Sequence, residues 1–401
     1  MNVSPMVRNN IFLNAHPDGC AREVLLQIAR TSPLKLKLDT ATFPDRQKPK
    51  NVLVIGCSTG YGLASRIVSA FGYGATTVGF SYEKEPSAAK TASPGWYANR
   101  TFDAEAGKAG LFARTFNIDA FSHEAKTLAI STALAQGFTY DLVVYSLASP
   151  VRVDPDSGTM YRSVIKPIGR AYAGTTADVF TGKLSEAHVQ PADEAEIAET
   201  VKVMGGEDWA LWISALESSD VLALNAITVA YSYLGPPLSW PIYRDGTIGR
   251  AKADLENTAR KLSGIYAPKG LKAFVSINKA VVTRASAVIP IIPLYVSTLF
   301  RVMKDRNIHE DCLDQILRLF SERLYLRGGE AVPVDAEGRI RLDDLEMGAS
   351  VQEEVSGRLS RINEGNVMKL ADIEGFRLDF LRVHGFEVPG VDYKADVNPL
   401  L

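Results

Sequence analysis

Tyr243 and Lys252 are the pair in this chain best suited to carbonyl chemistry. A reductase that uses such a pair needs a phenol to donate a hydrogen bond or a proton to a carbonyl oxygen. It also needs a nearby ammonium that holds ribose hydroxyls and makes the phenol more acidic. The usual spacing is four residues, on one face of a helix. Here it is nine, which on a continuous helix is a rotation of about 900° and puts the two on opposite faces. The sequence supplies an escape. Asp245-Gly246 and Gly249 interrupt the helix, and Pro241 precedes Tyr243 by two residues. Tyr243 can then project from a loop or first turn toward Lys252 on the following helix. On the residues alone this geometry is only permitted, and an interfacial tyrosine beside an exposed lysine is the plainer alternative.

A second group of residues has the chemistry of an anion cradle. In Asn51-Val-Leu-Val-Ile-Gly-Cys-Ser-Thr-Gly-Tyr-Gly-Leu-Ala-Ser-Arg66, apolar residues 52–55 read as a buried parallel strand. Gly56, Gly60 and Gly62 follow, and then a helical period through Leu63, Ala64, Ile67, Val68 and Phe71. A strand that runs through a glycine turn into a helix aims free N–H groups and the positive helix end at a phosphate. Gly56 permits the tight turn, and Gly60 and Gly62 leave room for a pyrophosphate and for close helix–strand contact. The G-x-x-x-G-x-G spacing is that of short-chain dehydrogenases, not the commoner G-x-G-x-x-G. A turn that merely lets strand and helix pack, and a methyltransferase loop, compete with this reading. Glu83, 21 residues beyond Gly62 at the end of a strand over 76–81, stands where an acid meets the adenine-side ribose. A carboxylate there repels a 2′-phosphate and favours NADH, although Lys84 and Lys90 blur that preference.

Bulk properties exclude several other classes. The 401 residues carry 44 basic and 46 acidic side chains with no basic block, so there is no electrostatic footprint for nucleic acid. The short run Lys35-Leu-Lys37 reads as a solvated face. Cys20, Cys57 and Cys312 contain no C-x-x-C pair and read as reduced thiols, with Cys57 valued in the turn for its small size. The histidines are scattered, no H-E-x-x-H occurs, and His16 with Cys20 makes no metal site, so no metal is expected. The N-terminal residues lack a signal-peptide apolar region. The most apolar stretch, Ala287 to Phe300, holds Pro290 and Pro293 and is too short for a membrane span, so a soluble, cytoplasmic protein is expected.

The elements that must position these groups alternate strand and helix. A short edge strand at 11–13 and a helix at 21–31 come first. After the glycine turn, strands at 76–81, 115–118, 141–149, 228–233 and 271–277 are expected, with helices at 104–113, 122–136 and 248–262. Residues 88–102 read as loop, 150–191 as a small hairpin excursion, and 194–222 as two helices divided at Gly205-Gly206. A hairpin at 332–342 and helices at 350–363 and 373–383 complete the chain. The pattern predicts an α/β fold: an enlarged Rossmann, doubly wound parallel sheet with insertions, its site at the carboxyl edge. Residues 1–330 form the catalytic domain on this reading, and 331–401 an appendage packed on the same domain.

Several motifs carry a closer resemblance: Val7-Arg-Asn-Asn, Asn14-Ala-His-Pro, Gly56 to Arg66, Pro94-Gly-Trp-Tyr, Val144 to Arg152, Val201 to Trp209, Ala230 to Pro236 and Arg284 to Pro290. With them, the chain resembles the NADH-dependent trans-2-enoyl-CoA/enoyl-acyl-carrier-protein reductase family (the FabV class) over nearly its whole length. The Tyr-x8-Lys spacing is itself a mark of that family. The resemblance implies NADH as cofactor and hydride transfer to C3 of a trans-2-enoyl thioester. It casts Gly56, Cys57, Ser58, Thr59, Gly60 and Tyr61 as the pyrophosphate loop, and Tyr82 and Glu83 as the adenosine-ribose contact. Asp119 and Ala120 become the adenine-side contact, Leu147 and Ala148 the ribose-side strand end, and Val281, Val282 and Thr283 the stretch that meets nicotinamide. Tyr233 becomes a substrate-binding tyrosine, Tyr243 the proton donor, and Lys252 the cofactor-binding lysine. The proline-bearing apolar segment that follows residue 283 resembles a substrate-covering helix.

Trp240-Pro-Ile, just before Tyr243, is shared by only some family members and leaves acyl-chain preference open. The C-terminal appendage carries no flavin fingerprint, and no FAD is expected. Expected partners are enoyl-CoA or acyl-carrier-protein thioesters, with no nucleic acid or membrane, and a monomer or weak homodimer. The competing functions are a ketone or alcohol oxidoreductase of the same fold and a non-catalytic NADH sensor. The nine-residue spacing argues against the first. A methyltransferase is disfavoured by Val54, which stands where an acid usually opens that motif.

Overall fold

Strand β3, Asn51–Ile55, carries only aliphatic side chains beyond its first residue, and those four are fully buried. A strand apolar on both faces must lie inside a covered sheet, and this one does. The computed structural model describes residues 1–8, 11–39, 48–284, 292–326 and 330–400. In chain order, a hairpin of β1 (Val7–Arg8) and β2 (Ile11–Phe12) leads to helix α1 (Pro17–Asp39) and then β3. Next come α2 (Gly60–Ile67), β4 (Thr76–Ser81), α3 (Pro94–Lys108), β5 (Ala113–Asn117), α4 (His123–Gln136) and β6 (Tyr140–Tyr145). Two hairpins follow, β7 (Val151–Val153) with β8 (Met160–Arg162) and β9 (Tyr172–Ala177) with β10 (Leu184–Val189). The chain resumes with α5 (Glu194–Met204), α6 (Glu207–Ser218), β11 (Leu222–Ser232), α7 (Thr247–Ile265) and β12 (Lys272–Ile277). It closes with α8 (Ile292–Asp305), α9 (Cys312–Leu319), β13 (Arg339–Arg341), α10 (Ala349–Leu359), α11 (Val367–Leu370) and α12 (Ile373–Arg382).

The main sheet is seven-stranded, in the order β13-β12-β11-β6-β3-β4-β5, with every pairing parallel. This is the expected doubly wound α/β sheet. From β3 the chain winds outward through β4 and β5, then returns to β6 and winds the other way, so the order reverses between β3 and β6. Ligands of open α/β sheets bind beyond the carboxyl ends of the strands at such a reversal. Alternate residues feed two cores. Val52 and Val54 face one with Leu142, Val144 and helix α9, while Leu53 and Ile55 face the other with Trp209, Trp212 and Leu255.

Four local expectations are corrected. The strand at 11–13 belongs to a two-residue hairpin with β1 and is not an edge of the main sheet. Residues 94–102, read as loop, are the first part of α3. Extended Ser93 followed by Pro94 at the first helical position is a helix start, overlooked because Gly95 lies beside it. Gly95 is there for space: a Cβ would sit 2.4 Å from a Glu83 carboxylate oxygen. Gly249 does not break α7 but lies in its first turn, where a Cβ would come within 1.8 Å of the Arg244 carbonyl oxygen. Finally, the hairpin expected at 332–342 is one short strand, β13, which pairs in parallel with β12 and makes residues 339–341 part of the catalytic sheet. The Lys35–Lys37 side chains, residues 40–47 and Pro290 lie outside what the structure describes.

Candidate active site

At the reversal point, two glycines are dictated by contact distance. Gly56 has φ +88°, and a Cβ there would lie 2.4 Å from the Ser146 carbonyl oxygen at the end of β6. A Cβ on Gly62 would fall 1.9 Å from the Gly56 carbonyl oxygen. Strand end, turn and helix start are therefore pressed together more closely than any side chain allows, leaving backbone as the lining. Helix α2 begins after Thr59 with no acidic residue in its first turn, so its positive end is uncompensated by side-chain charge. That is a cradle shaped for a pyrophosphate.

The other predicted cofactor residues stand around it. Tyr82 and Glu83 follow β4, Asp119 and Ala120 lie beyond β5, and Leu147 and Ala148 lie beyond β6, all at one edge of the sheet. Tyr82 is 79% exposed, an open ring face at the rim. The Asp119 carboxylate accepts from the Phe121 N–H and the Ala120 carbonyl from the Trp212 indole, so both shape the edge as well as line it. Residues Val281, Val282 and Thr283 cross over the loop. The Tyr61 hydroxyl donates to the Lys279 carbonyl at 2.9 Å, and a Cβ on Gly60 would meet the Thr283 methyl at 3.6 Å. Thr59, Gly60, Pro94, Val281, Val282 and Thr283 help to line a cavity of about 570 Å³.

Glu83 is buried and takes a 2.6 Å hydrogen bond from Ser58 and bonds of 2.9 and 3.0 Å from Arg284. Its backbone is clamped by a reciprocal pair of bonds with Asn117. One lone pair of Oε2 is left to accept from a ribose hydroxyl. Arg284, 201 residues away, gave no local signal as the partner of Glu83.

The tyrosine half is built differently. Tyr243 sits in the turn before α7, its N–H bonded to the Ser239 carbonyl at 2.9 Å, and its ring stands edge-on to Tyr233 with centroids 5.1 Å apart. It shares an apolar cluster with Ala280, Val282, Tyr295 and Val296. Among the described residues its hydroxyl makes no hydrogen bond. Lys252, one turn into α7, donates to the Tyr231 carbonyl at 3.2 Å at the end of β11. The predicted pair is thus seated on the same strand end, Lys252 through Tyr231 and Tyr243 through Tyr233, by a turn and not by one helix face.

The electrostatics depart from expectation. Burial lowers the Lys252 ammonium to about 8, and burial with the Glu346 charge pushes the Tyr243 phenol upward. Tyr243 is therefore held protonated, as a donor must be, rather than made acidic by the lysine. Sequence reasoning missed Glu346 altogether. It is completely buried, and its Oε1 accepts from Tyr295 at 2.7 Å and Tyr233 at 3.0 Å, while Oε2 accepts from the Ala280 N–H at 2.7 Å. Lys279, also buried and lowered to about 8 by burial, donates to the Ala280 carbonyl alongside.

Known proteins resemble this chain along its whole length. The model "Trans-2-enoyl-CoA reductase catalytic region" matches residues 90–325, and "NAD(P)H binding domain of trans-2-enoyl-CoA reductase" matches 2–88. A third, "Enoyl reductase FAD binding domain", matches 334–397. The trans-2-enoyl-CoA reductase [NADH] of Treponema denticola is 51% identical over 398 residues, 99% of each chain. An enoyl-[acyl-carrier-protein] reductase [NADH] of Flavobacterium johnsoniae is 50% identical over 100% of this chain and 98% of its own. The crystal structure of the Treponema denticola enzyme in complex with NAD superposes with a TM-score of 0.95, covering 99% of this chain and 98% of that one.

The third model's flavin finds no fit in the residues present. Residues 334–397 hold one three-residue strand and three helices, with no strand running through a glycine turn into a helix. Their large apolar side chains are spent on packing: Val351, Val355, Phe376 and Phe380 close over Val296, Leu299 and Phe300 of α8.

Proposed function

The chain belongs to the trans-2-enoyl-CoA reductase family, and from that membership we infer that it reduces the C2–C3 double bond of a trans-2-enoyl thioester with NADH. When bound, NADH supplies a hydride to C3 of the substrate. Everything else falls to the protein. The Gly56–Tyr61 turn and the start of α2 hold the pyrophosphate, Glu83 takes the adenosine ribose hydroxyls, and Lys252 takes the nicotinamide-side ribose. As the double bond accepts hydride, negative charge moves to the thioester oxygen. Tyr243 meets that oxygen with its O–H and stabilises the enolate from a buried, largely apolar setting. Tyr243 then yields its proton to the enolate at C2, giving the saturated acyl thioester, and the phenolate takes a proton back from solvent as product leaves.

The observation that carries this reading is the Tyr243 hydroxyl: uncommitted among the described residues, held protonated, and clustered with Val282 of the nicotinamide stretch. In this proposal residues 1–330, completed by strand β13 at Arg339–Arg341, act as the catalytic domain, and the rest of 331–401 is an appendage on it. CoA and acyl carrier protein are both candidate carriers. No described helix is long and apolar enough to cross a membrane, and we place the protein in the cytoplasm as a monomer or weak homodimer.

The test is NADH oxidation with crotonyl-CoA and acetoacetyl-CoA side by side, repeated with NADPH. Turnover of the enoyl substrate and not the ketone is expected, with NADH strongly preferred. Ketone reduction at a comparable rate overturns the reading, as does tight NADH binding with no turnover of either.

A further inference from the structure

Two tyrosines face each other in the substrate half, yet only one has a proton to spend. The Tyr233 hydroxyl donates to Glu346 at 3.0 Å, whereas the Tyr243 hydroxyl has no partner among the described residues. The carboxylate's environment fixes this polarity. The Gln352 amide donates to the Tyr295 hydroxyl at 3.2 Å and to the Glu346 carbonyl at 2.8 Å, which directs the Tyr295 proton onward to Glu346 at 2.7 Å. The Ala280 N–H, a donor that cannot turn, occupies the other carboxylate oxygen. Three donors converging on one buried group call for an acceptor-only carboxylate. The Lys279 ammonium, buried in the same cluster and bonded to the Ala280 carbonyl, stands nearby as countercharge.

We propose that Glu346, carried by the C-terminal segment, is a positioning residue of the enoyl-thioester site: it holds the Tyr233 and Tyr295 hydroxyl protons, so that Tyr233 offers the substrate only lone pairs and a fixed ring, and Tyr243 alone donates. This rests on the reductase reading above. It gives residues 334–397 a task in place of flavin binding, because Glu346 ties that segment to β11 through Tyr233, to α8 through Tyr295 and to the nicotinamide stretch through Ala280. Glutamine has the same shape but must aim an N–H₂ at one of the groups that now donate. Tyr233 would then be free to turn its proton away from Glu346 and compete with Tyr243 for the thioester oxygen.

The experiment is a double-mutant cycle of Glu346→Gln and Tyr233→Phe in the full chain, read as separate KM and kcat values for crotonyl-CoA and NADH. Absence of wild-type crotonyl-CoA turnover sinks the reductase reading and this proposal with it. With turnover established, Glu346→Gln should raise the crotonyl-CoA KM about tenfold. Its kcat should stay within about threefold and its NADH KM within about twofold of wild type. Adding it to Tyr233→Phe should change the crotonyl-CoA KM by less than about twofold, because both changes remove one interaction. An unchanged KM, a full tenfold effect in the Tyr233→Phe background, or a parallel rise in the NADH KM overturns the proposal. If Glu346→Gln does not fold, Glu346→Asp enters the same cycle. It keeps the acceptor-only charge but withdraws it by one methylene, and the same outcomes decide.

Discussion

The cofactor half and the substrate half of this site are built by opposite means. On the cofactor side, the lining is backbone: a turn whose glycines face carbonyl oxygens at distances no Cβ tolerates, at the end of a strand apolar on both faces. The strand end, turn and helix start lie within about fifteen consecutive residues, as a phosphate cradle at a helix start does in general, and neighbouring strand ends complete the rim. On the substrate side, the lining is side chains from four separate segments, with Tyr233, Tyr243, Tyr295 and Glu346 meeting by hydrogen bonds and ring packing. One half is specified by what cannot fit, the other by which proton is held where. Changes in the first should therefore act through binding and shape, and changes in the second through donation and substrate orientation.

The largest effect expected on the cofactor side comes from Gly62→Ala. Its methyl would meet the Gly56 carbonyl oxygen at 1.9 Å, and backbone must move to admit it. Fluorescence titration should show NADH affinity falling more than about a hundredfold, with stability reduced by about 2–4 kcal/mol in urea unfolding. Intact NADH binding would mean that the turn is not the cradle.

Next in size is Glu83→Gln. Removing this carboxylate leaves the Arg284 guanidinium without its partner, beside the place where a 2′-phosphate would lie. The kcat/KM ratio of NADPH to NADH should rise about ten- to a hundredfold, since a repelling charge is lost and an attracting one released. An unchanged ratio would remove Glu83 from cofactor selection.

The smallest effect is one of pH. Lys252, lowered to about 8 by burial, carries its charge below that value and loses it above. If the charge holds the ribose, wild-type kcat/KM for NADH falls as pH rises through about 8, by up to tenfold per unit. Lys252→Arg stays charged throughout, so its lower activity should run flat to at least about pH 9.5. A wild-type profile with no decline above pH 8 would show that the ammonium is dispensable.

The same contrast explains what could be read from the amino acids. The strand at 52–55, the glycine turn and the acid at 83 are local signals, and each stands where its spacing places it. The strand at 76–81 matches β4 residue for residue. Only the first part of α3 reads as loop in the sequence, because Gly95 beside Pro94 suggests a turn, whereas it is needed to clear Glu83. Tyr243 stands in a turn ahead of the helix that carries Lys252, with Gly249 inside that helix rather than breaking it. Glu346 left no trace, nor did the pairing of Arg284 with Glu83, since a hydrogen bond spanning 113 or 201 residues has no period and no motif. Nor did the sequence reveal that β13 joins the catalytic sheet, as a three-residue strand is too short to carry an alternation.

The most direct test of the whole account is the Tyr243→Phe variant, assayed for NADH oxidation with crotonyl-CoA and titrated with NADH. The ring packing against Tyr233 survives this change and only the donor is lost. Turnover should fall about a thousandfold, within the range for loss of a general acid, while the NADH dissociation constant stays within about twofold of wild type. Turnover within threefold of wild type would show that Tyr243 is not the group that meets the thioester oxygen.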